Sequence, residues 1–229
     1  MTRREPNFDQ LPASLPIFPL SGALLLPRAV LSLNIFEPRY RNLTQDAMSS
    51  NRLIGMVQPV DPEETPITAD GRIKNLIGER LALYSTGCAG HISQCYETPD
   101  GRFILSLTGV FRFIIGDEVE TTRGYRRFNI DWSNFRDDEN LQTAGLDRRR
   151  LLAAMQRYLG RNEINIDLKS IDDVADETLV NELSISSPFS PAEKQALLEA
   201  RSLSERCDVL VSLAEISAHV YNASSERPQ

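Results

Sequence analysis

Residues 91–110, HISQCYETPDGRFILSLTGV, decide how this chain is read. Two runs rich in β-branched and aromatic residues flank Pro99-Asp100-Gly101. The Asp-Gly pair supplies the positive φ angles that a tight turn needs, so HISQCY and FILSLTGV are predicted to pair as an antiparallel hairpin. The same punctuation, short apolar runs separated by Pro, Gly, Asn and Asp, extends outward from about Leu15 to Trp132 and marks that whole region as β structure. RLIGMVQPV, residues 52–60, is a buried-strand candidate that ends at Pro59. One helix interrupts, EPRYRNLTQDAMSS at 37–50, with Pro38 suited to its first turn. The polar, proline-rich 59–74 stretch reads as a surface loop.

After NFRDDENLQTAG, residues 134–145, the apolar period changes from two to about three and a half. Asp147 is the expected N-cap of a helix in which Leu151, Leu152, Met155, Tyr158 and Leu159 recur on one face and which stops at Gly160. A second helix opens at SIDD, residues 170–173, and runs towards Leu183. A third starts at SPAE, where Ser190, Pro191 and Glu193 form a capping box with proline at the first helical position. The last runs from about Ser204 to Tyr221. Asp208, Ser212, Glu215 and His219 make its thin polar stripe, and Cys207, Val209, Leu210, Val211, Leu213, Ala214, Ile216 and Val220 are expected to be buried, which makes it the central packing element of a helical subdomain. The fold class is therefore α+β, with a β subdomain over 1–135 and a helical one over 136–229.

Composition bounds function. With 229 residues, 41% hydrophobic and 25% charged, the chain is an ordinary globular sequence long enough to bury its own core. The formal charge of −7 divides as −1 over residues 1–135 and −6 over 136–229, so no broad basic field for nucleic acid exists. The N-terminal segment lacks the shape of a signal peptide, and Leu15–Phe36 is broken by Pro16, Pro19, Pro27 and Arg28, so no membrane span is expected and a cytoplasmic location follows. Three cysteines in that compartment read as reduced thiols.

Candidate chemistry is thin. GCAGHISQC, residues 87–95, holds two cysteines and one of two histidines, but strand alternation sends Cys88 to one face and His91 with Cys95 to the other, against both a metal knuckle and a Cys–His nucleophile pair. A bulge at Gly87 or Gly90 is the feature that would change this. Neither a phosphate-cradling glycine loop nor a nucleophile elbow occurs. The pairs Asp61/Glu63/Glu64, Asp137/Asp138 and Asp172/Asp173 read as solvated loops or helix starts. RGYRRFNIDW, residues 123–132, interleaves Arg123, Arg126 and Arg127 with Tyr125 and Phe128, a pattern that suits nucleic acid but is better explained as a strand with Phe128, Ile130 and Trp132 on the core.

Three blocks resemble the N-terminal substrate-binding domain of the ATP-dependent protease Lon. They are LPIFPLSGALLLPRAVLSLNIFEPRYRNL (15–43), IGERLALYSTGCAGHISQCYETPDGRFILSLTGVFRFII (77–115) and LVNELSISSPFSPAEKQALLEARSLSERCDVLVSLAE (179–215). The resemblance implies a PUA-like β-barrel subdomain followed by a helical bundle, without the ATPase and Ser–Lys protease modules of the full enzyme. It further implies no catalytic residue, no metal and no cofactor. The implied function is a non-catalytic module that binds unfolded or partner polypeptides for a protease or chaperone. The substrate-binding residues are placed at the strand-to-helix lip Phe36, Glu37, Arg39 and Tyr40. A PUA-like RNA-binding protein, using Arg123–Trp132, is the alternative, and an enzyme using Cys88, Cys95 or His91 a distant third.

Overall fold

The computed structural model describes residues 7–60, 81–140, 145–161 and 173–225. The chain divides into two compact units, Met1–Glu139 and Asn140–Gln229. The fold is a mixed α+β architecture in which a six-stranded sheet precedes four helices.

In the first unit the strands are β1 (Ser14–Pro19), β2 (Val30–Ile35), β3 (Leu53–Pro59), β4 (Leu83–Glu97), β5 (Phe103–Val119) and β6 (Arg126–Asp131), with helix α1 (Pro38–Met48) between β2 and β3. The sheet order is β2-β5-β4-β3-β1-β6, and β6 also pairs with β5. Those pairings close β5, β4, β3, β1 and β6 into a ring, with β1 and β3 parallel and every other pair antiparallel. One edge of β5 serves two neighbours: Phe103–Thr108 holds β2 and Ile114–Val119 holds β6.

The hairpin forms as expected, with Glu97 opposite Phe103 and Thr98 N–H donating to Arg102 O at 2.9 Å. Its turn uses a positive φ at Gly101 alone (78°), with Gly101 N–H donating to Thr98 O, so the connection is a three-residue loop rather than the two-residue Asp-Gly turn. The strands are far longer than the quoted runs, and each contains a bulge. Ala89 faces Phe111 while Gly90 faces Gly109, which leaves Val110 as an extra residue in β5. Ile92 faces Leu107 while Gln94 faces Ser106, which leaves Ser93 extra in β4. An extra residue reverses which face the following side chains take. Leu105 and Leu107 therefore fill one side of β5, while Phe111 and Phe113 enter the core built with Leu15, Ile17, Leu53, Val57, Ala89 and Phe128.

Two close approaches explain glycines in that core. A Cβ at Gly87 would stand 2.6 Å from the Phe113 ring, and one at Gly109 would stand 2.0 Å from Leu26 O, where the loop before β2 crosses β5.

Around this core the acidic pair Asp137/Asp138 requires a correction. Asp138 is no solvated loop residue: it is 2% exposed and clamps Arg112, itself 1% exposed, through Nη2–Oδ1 at 2.7 Å and Nε–Oδ2 at 2.9 Å. Its Oδ2 also accepts the Arg112 backbone N–H at 2.9 Å, and its backbone O accepts from Arg28 Nη1 at 2.7 Å. Arg112 covers the Phe135 ring at 4.3 Å, so the 3-10 segment Ser133–Glu139 is locked onto β5.

The second unit contains α2 (Arg148–Arg161), α3 (Asp176–Ser186), α4 (Pro191–Glu199) and α5 (Leu203–Ser225). Asp147 caps α2 through Oδ1 to Arg150 N–H at 3.0 Å, and α2 continues one residue past Gly160. The start signal at 170–172 lies outside the described residues; α3 begins at Asp176, beyond SIDD. The Ser190–Glu193 capping box is present, with Pro191 in the first turn. Helix α5 packs against α2, α3 and α4, as its narrow polar stripe requires. Three residues depart from the expectation: Val209 and Leu213 are only half-buried, and Ile216 is 59% exposed. The side chains of His219 and Val220 lie outside those described. Among the described residues, no helix is long and apolar enough to cross a membrane.

Candidate functional site: the strand-to-helix lip and its exposed sheet face

The lip is built by a backbone switch. Glu37 stands at N-cap in extended conformation (φ −67°, ψ 135°), and Pro38 fits the first helical turn because its missing N–H needs no partner there. The Glu37 carboxylate accepts from Arg39 Nε at 2.9 Å and Nη2 at 2.7 Å rather than capping the helix. The Arg39 guanidinium lies 4.8 Å from the Tyr40 ring centroid. Glu37, Arg39 and Tyr40 are thus brought together.

They do not play equal parts. Tyr40 is buried and packs on Phe18 with centroids 4.3 Å apart, anchoring α1 with Leu43, Thr44 and Ala47. Burial pushes its phenol above the ordinary tyrosine range. Phe36, in contrast, projects into solvent at 63% exposure. It continues the exposed register of Val30, Ser32 and Asn34 along β2. Asn34 faces Ile104 on β5, and Ile104 faces Tyr96 on β4. Ile104 (49% exposed) and Tyr96 (61%) therefore share a face with Phe36, one register step away. The hairpin tip closes this face with the Asp100–Arg102 ion pair at 2.7 Å, whose hydrogen bonds, with that from Thr98, lower the Asp100 carboxyl to about 2.

Tyr96 and Ile104 were missed in the sequence, although a signal was there. In FILSLTGV, Phe103, Leu105 and Leu107 turn inward, which leaves Ile104 as an apolar residue on a register otherwise polar (Ser106, Thr108).

The Cys/His stretch resolves differently from the alternation argument. His91 faces Thr108 and Cys95 faces Leu105, residues on opposite sides of β5, so His91 and Cys95 do not share a face. The Ser93 bulge, not a glycine, is responsible. Cys88 is buried, and burial raises the Cys95 thiol and lifts Cys207 to about 11, the latter helped by Asp208. Among the described residues, no three His, Cys, Asp or Glu side chains gather as metal ligands would. The arginines of 123–132 are engaged within the fold: Arg123 with Asp46 at 2.6 Å, Arg126 with Glu118 at 2.8 Å, and Arg127 with Ser14 Oγ at 3.0 Å.

These features define a mixed α+β protein whose distinguishing surface is apolar side chains on an exposed sheet face beside a charged lip. The chain belongs to the ATP-dependent protease La (LON) substrate-binding domain family, whose model matches residues 14–215. It is 30% identical to the Lon protease of Flavobacterium johnsoniae over 88% of this chain and 25% identical to that of Dictyoglomus thermophilum over 93%. The chain spans about a quarter (24%) of the length of these relatives. Its fold matches a Lon N-terminal domain protein from Xanthomonas campestris, with TM-score 0.58, 20% identity, and coverage of 87% of this chain and 97% of that one. It also matches the N-terminal domain of Mycobacterium avium complex Lon protease, with TM-score 0.59, 16% identity, and coverage of 88% and 98%.

Proposed function

We propose that this chain is a non-catalytic polypeptide-binding module of the Lon type, which recognises exposed apolar segments of unfolded or partner proteins and serves a protease or chaperone in the cytoplasm. One observation carries the reading: Phe36, Tyr96 and Ile104 expose apolar area together on one sheet face. A water-exposed apolar cluster with a polar rim marks a contact surface, and aromatic anchors dominate the energy of such contacts. The ring of strands is read as a PUA-like β-barrel over residues 1–135 and the helices as a bundle over 136–229, the two forming one binding domain. Within the lip, Phe36 is the contact residue, Glu37 and Arg39 form its charged rim, and Tyr40 holds α1 beneath them.

The test is fluorescence anisotropy with a labelled, permanently unfolded polypeptide, with its folded form and a short RNA as controls. Binding of the unfolded form alone, weakened by Phe36→Ala in a protein of unchanged stability, is the expected result. Binding of RNA alone would transfer the reading to nucleic acid, and indifference to Phe36→Ala would remove the lip from the site.

A further inference from the structure

The edge of β2 carries a second kind of recognition. Among the described residues, β2 pairs with β5 alone. Gly109 N–H donates to Ala29 O at 2.8 Å and Gly109 O accepts from Arg28 N–H at 2.7 Å, a bulge just before β2 that sets the Ala29 carbonyl towards β5 in the place of a hydrogen-bonded pair. Such pairs alternate along an antiparallel ladder, so Leu31, Leu33 and Ile35 bond to β5, and the N–H and C=O groups of Val30, Ser32 and Asn34 point to the open edge. Proteins ordinarily blunt a free edge with a charge, a proline or a bulge. VLSLNI, residues 30–35, has none: it holds no charged residue and no proline, and its register against β5 is unbroken from Val30 to Ile35.

We propose that β2 receives an extended segment of the bound polypeptide as an added strand, its main chain paired to Val30, Ser32 and Asn34 and its outward side chains continuing the face of Phe36 and Ile104. This rests on the polypeptide-binding reading above and specifies how that polypeptide is held. The chemistry selects the occupant. A row of main-chain donors and acceptors at strand spacing is satisfied by another extended main chain, independent of its side chains, whereas the flanking Val30 and Phe36 favour apolar residues at alternate positions. A second copy of the chain fits less well. Two six-residue β2 strands would meet over only about 20 Å with Ser32 and Asn34 near the centre, a strip well short of the area of a stable dimer, and a charge of −7 on each copy opposes it.

The test uses a labelled peptide of alternating valine and threonine capped by lysines, together with two versions N-methylated on one or the other alternate set of residues. The protein variants are Ser32→Pro, which deletes an edge N–H while leaving the β5 bonds, and Ser32→Ala, which keeps the main chain. Strand addition predicts roughly tenfold weaker binding by Ser32→Pro, unchanged binding by Ser32→Ala, and loss with one N-methyl set but not the other. The N-methyl peptides test the wild-type protein and so do not depend on the folding of Ser32→Pro. Tight binding that ignores both Ser32→Pro and N-methylation would overturn the edge proposal while the polypeptide-binding reading stood. Failure of the wild-type chain to bind any unfolded polypeptide would overturn that reading and this one with it. A wild-type dimer that Ser32→Pro converts to monomer, with peptide affinity unchanged, would assign the edge to self-association and also overturn it.

Discussion

Removing Asp138 is the sharpest available test of how the first unit is held together. The Asp138→Ala variant leaves the Arg112 guanidinium, 1% exposed, without the carboxylate that accepts from its Nε, its Nη2 and its backbone N–H. A buried guanidinium stripped of its carboxylate costs about 3–5 kcal/mol, because desolvation remains while that attraction is lost. The same change frees the Ser133–Glu139 segment, which Asp138 pins to β5 and which ends the first unit. For a protein of this size the loss corresponds to a melting shift of roughly 10 °C. The assay is urea unfolding of wild type, Asp138→Ala, Arg112→Met and the double variant Arg112→Met/Asp138→Leu. The physical account makes the double variant much less damaging than Asp138→Ala, because it buries no unpaired charge. A loss below about 1 kcal/mol for Asp138→Ala, or a double variant as unstable as the single, would refute it.

Other expectations follow from single contacts. Tyr40→Ala should cost about 3 kcal/mol in chemical denaturation, since it empties the site against Phe18, while Phe36→Ala should leave stability within about 0.5 kcal/mol and act on polypeptide affinity alone. Ser190→Ala, which breaks the capping box of α4, should cost about 1 kcal/mol, read from the thermal melt of the protein. Cys207 is held protonated in the fold to about 11 against an ordinary 9, so between those values the unfolded chain loses its proton first and stability falls as pH rises; Cys207→Ala should flatten that fall in denaturation series run from pH 8 to about 11. In folded protein, iodoacetamide should modify half-buried Cys95 before Cys88 and Cys207, as peptide mapping of the alkylated chain would show.

The features legible in the sequence are those whose determinants are local. The capping box at Ser190 and Glu193, the proline opening α1, the Asp147 cap and the hairpin at Gly101 each depend on residues a few positions apart. The polar stripe of α5 likewise reported its central packing, and Ile216 escaped because a helical period does not say where neighbouring helices stop. What stayed hidden depends on long separations. Asp138 meets Arg112 across 26 positions, and an aspartate in DDE carries no local mark of burial. The bulges at Ser93 and Val110 are equally silent, yet they invert the faces of two strands and so decide that His91 and Cys95 part company.

The candidate site combines both kinds of information, local at the lip and long-range on the sheet face beside it. Phe36 and the turn into α1 lie within a few residues, so their juxtaposition is written in local order. Tyr96 and Ile104 reach the same face only because β5 binds β2 on one edge and β4 on the other, in registers no single segment specifies. The open edge of β2 is a still more global property, because it exists only where the ring closes without that strand: β5 gives the second half of the same edge to β6. Among the described residues, closure gives five strands a neighbour on both edges and leaves the outer main chain of Val30, Ser32 and Asn34 without a strand partner beside the exposed apolar face. Apolar side chains and free main-chain groups together are what an unfolded polypeptide presents and a folded one conceals, so a surface offering both would discriminate by conformation rather than by sequence.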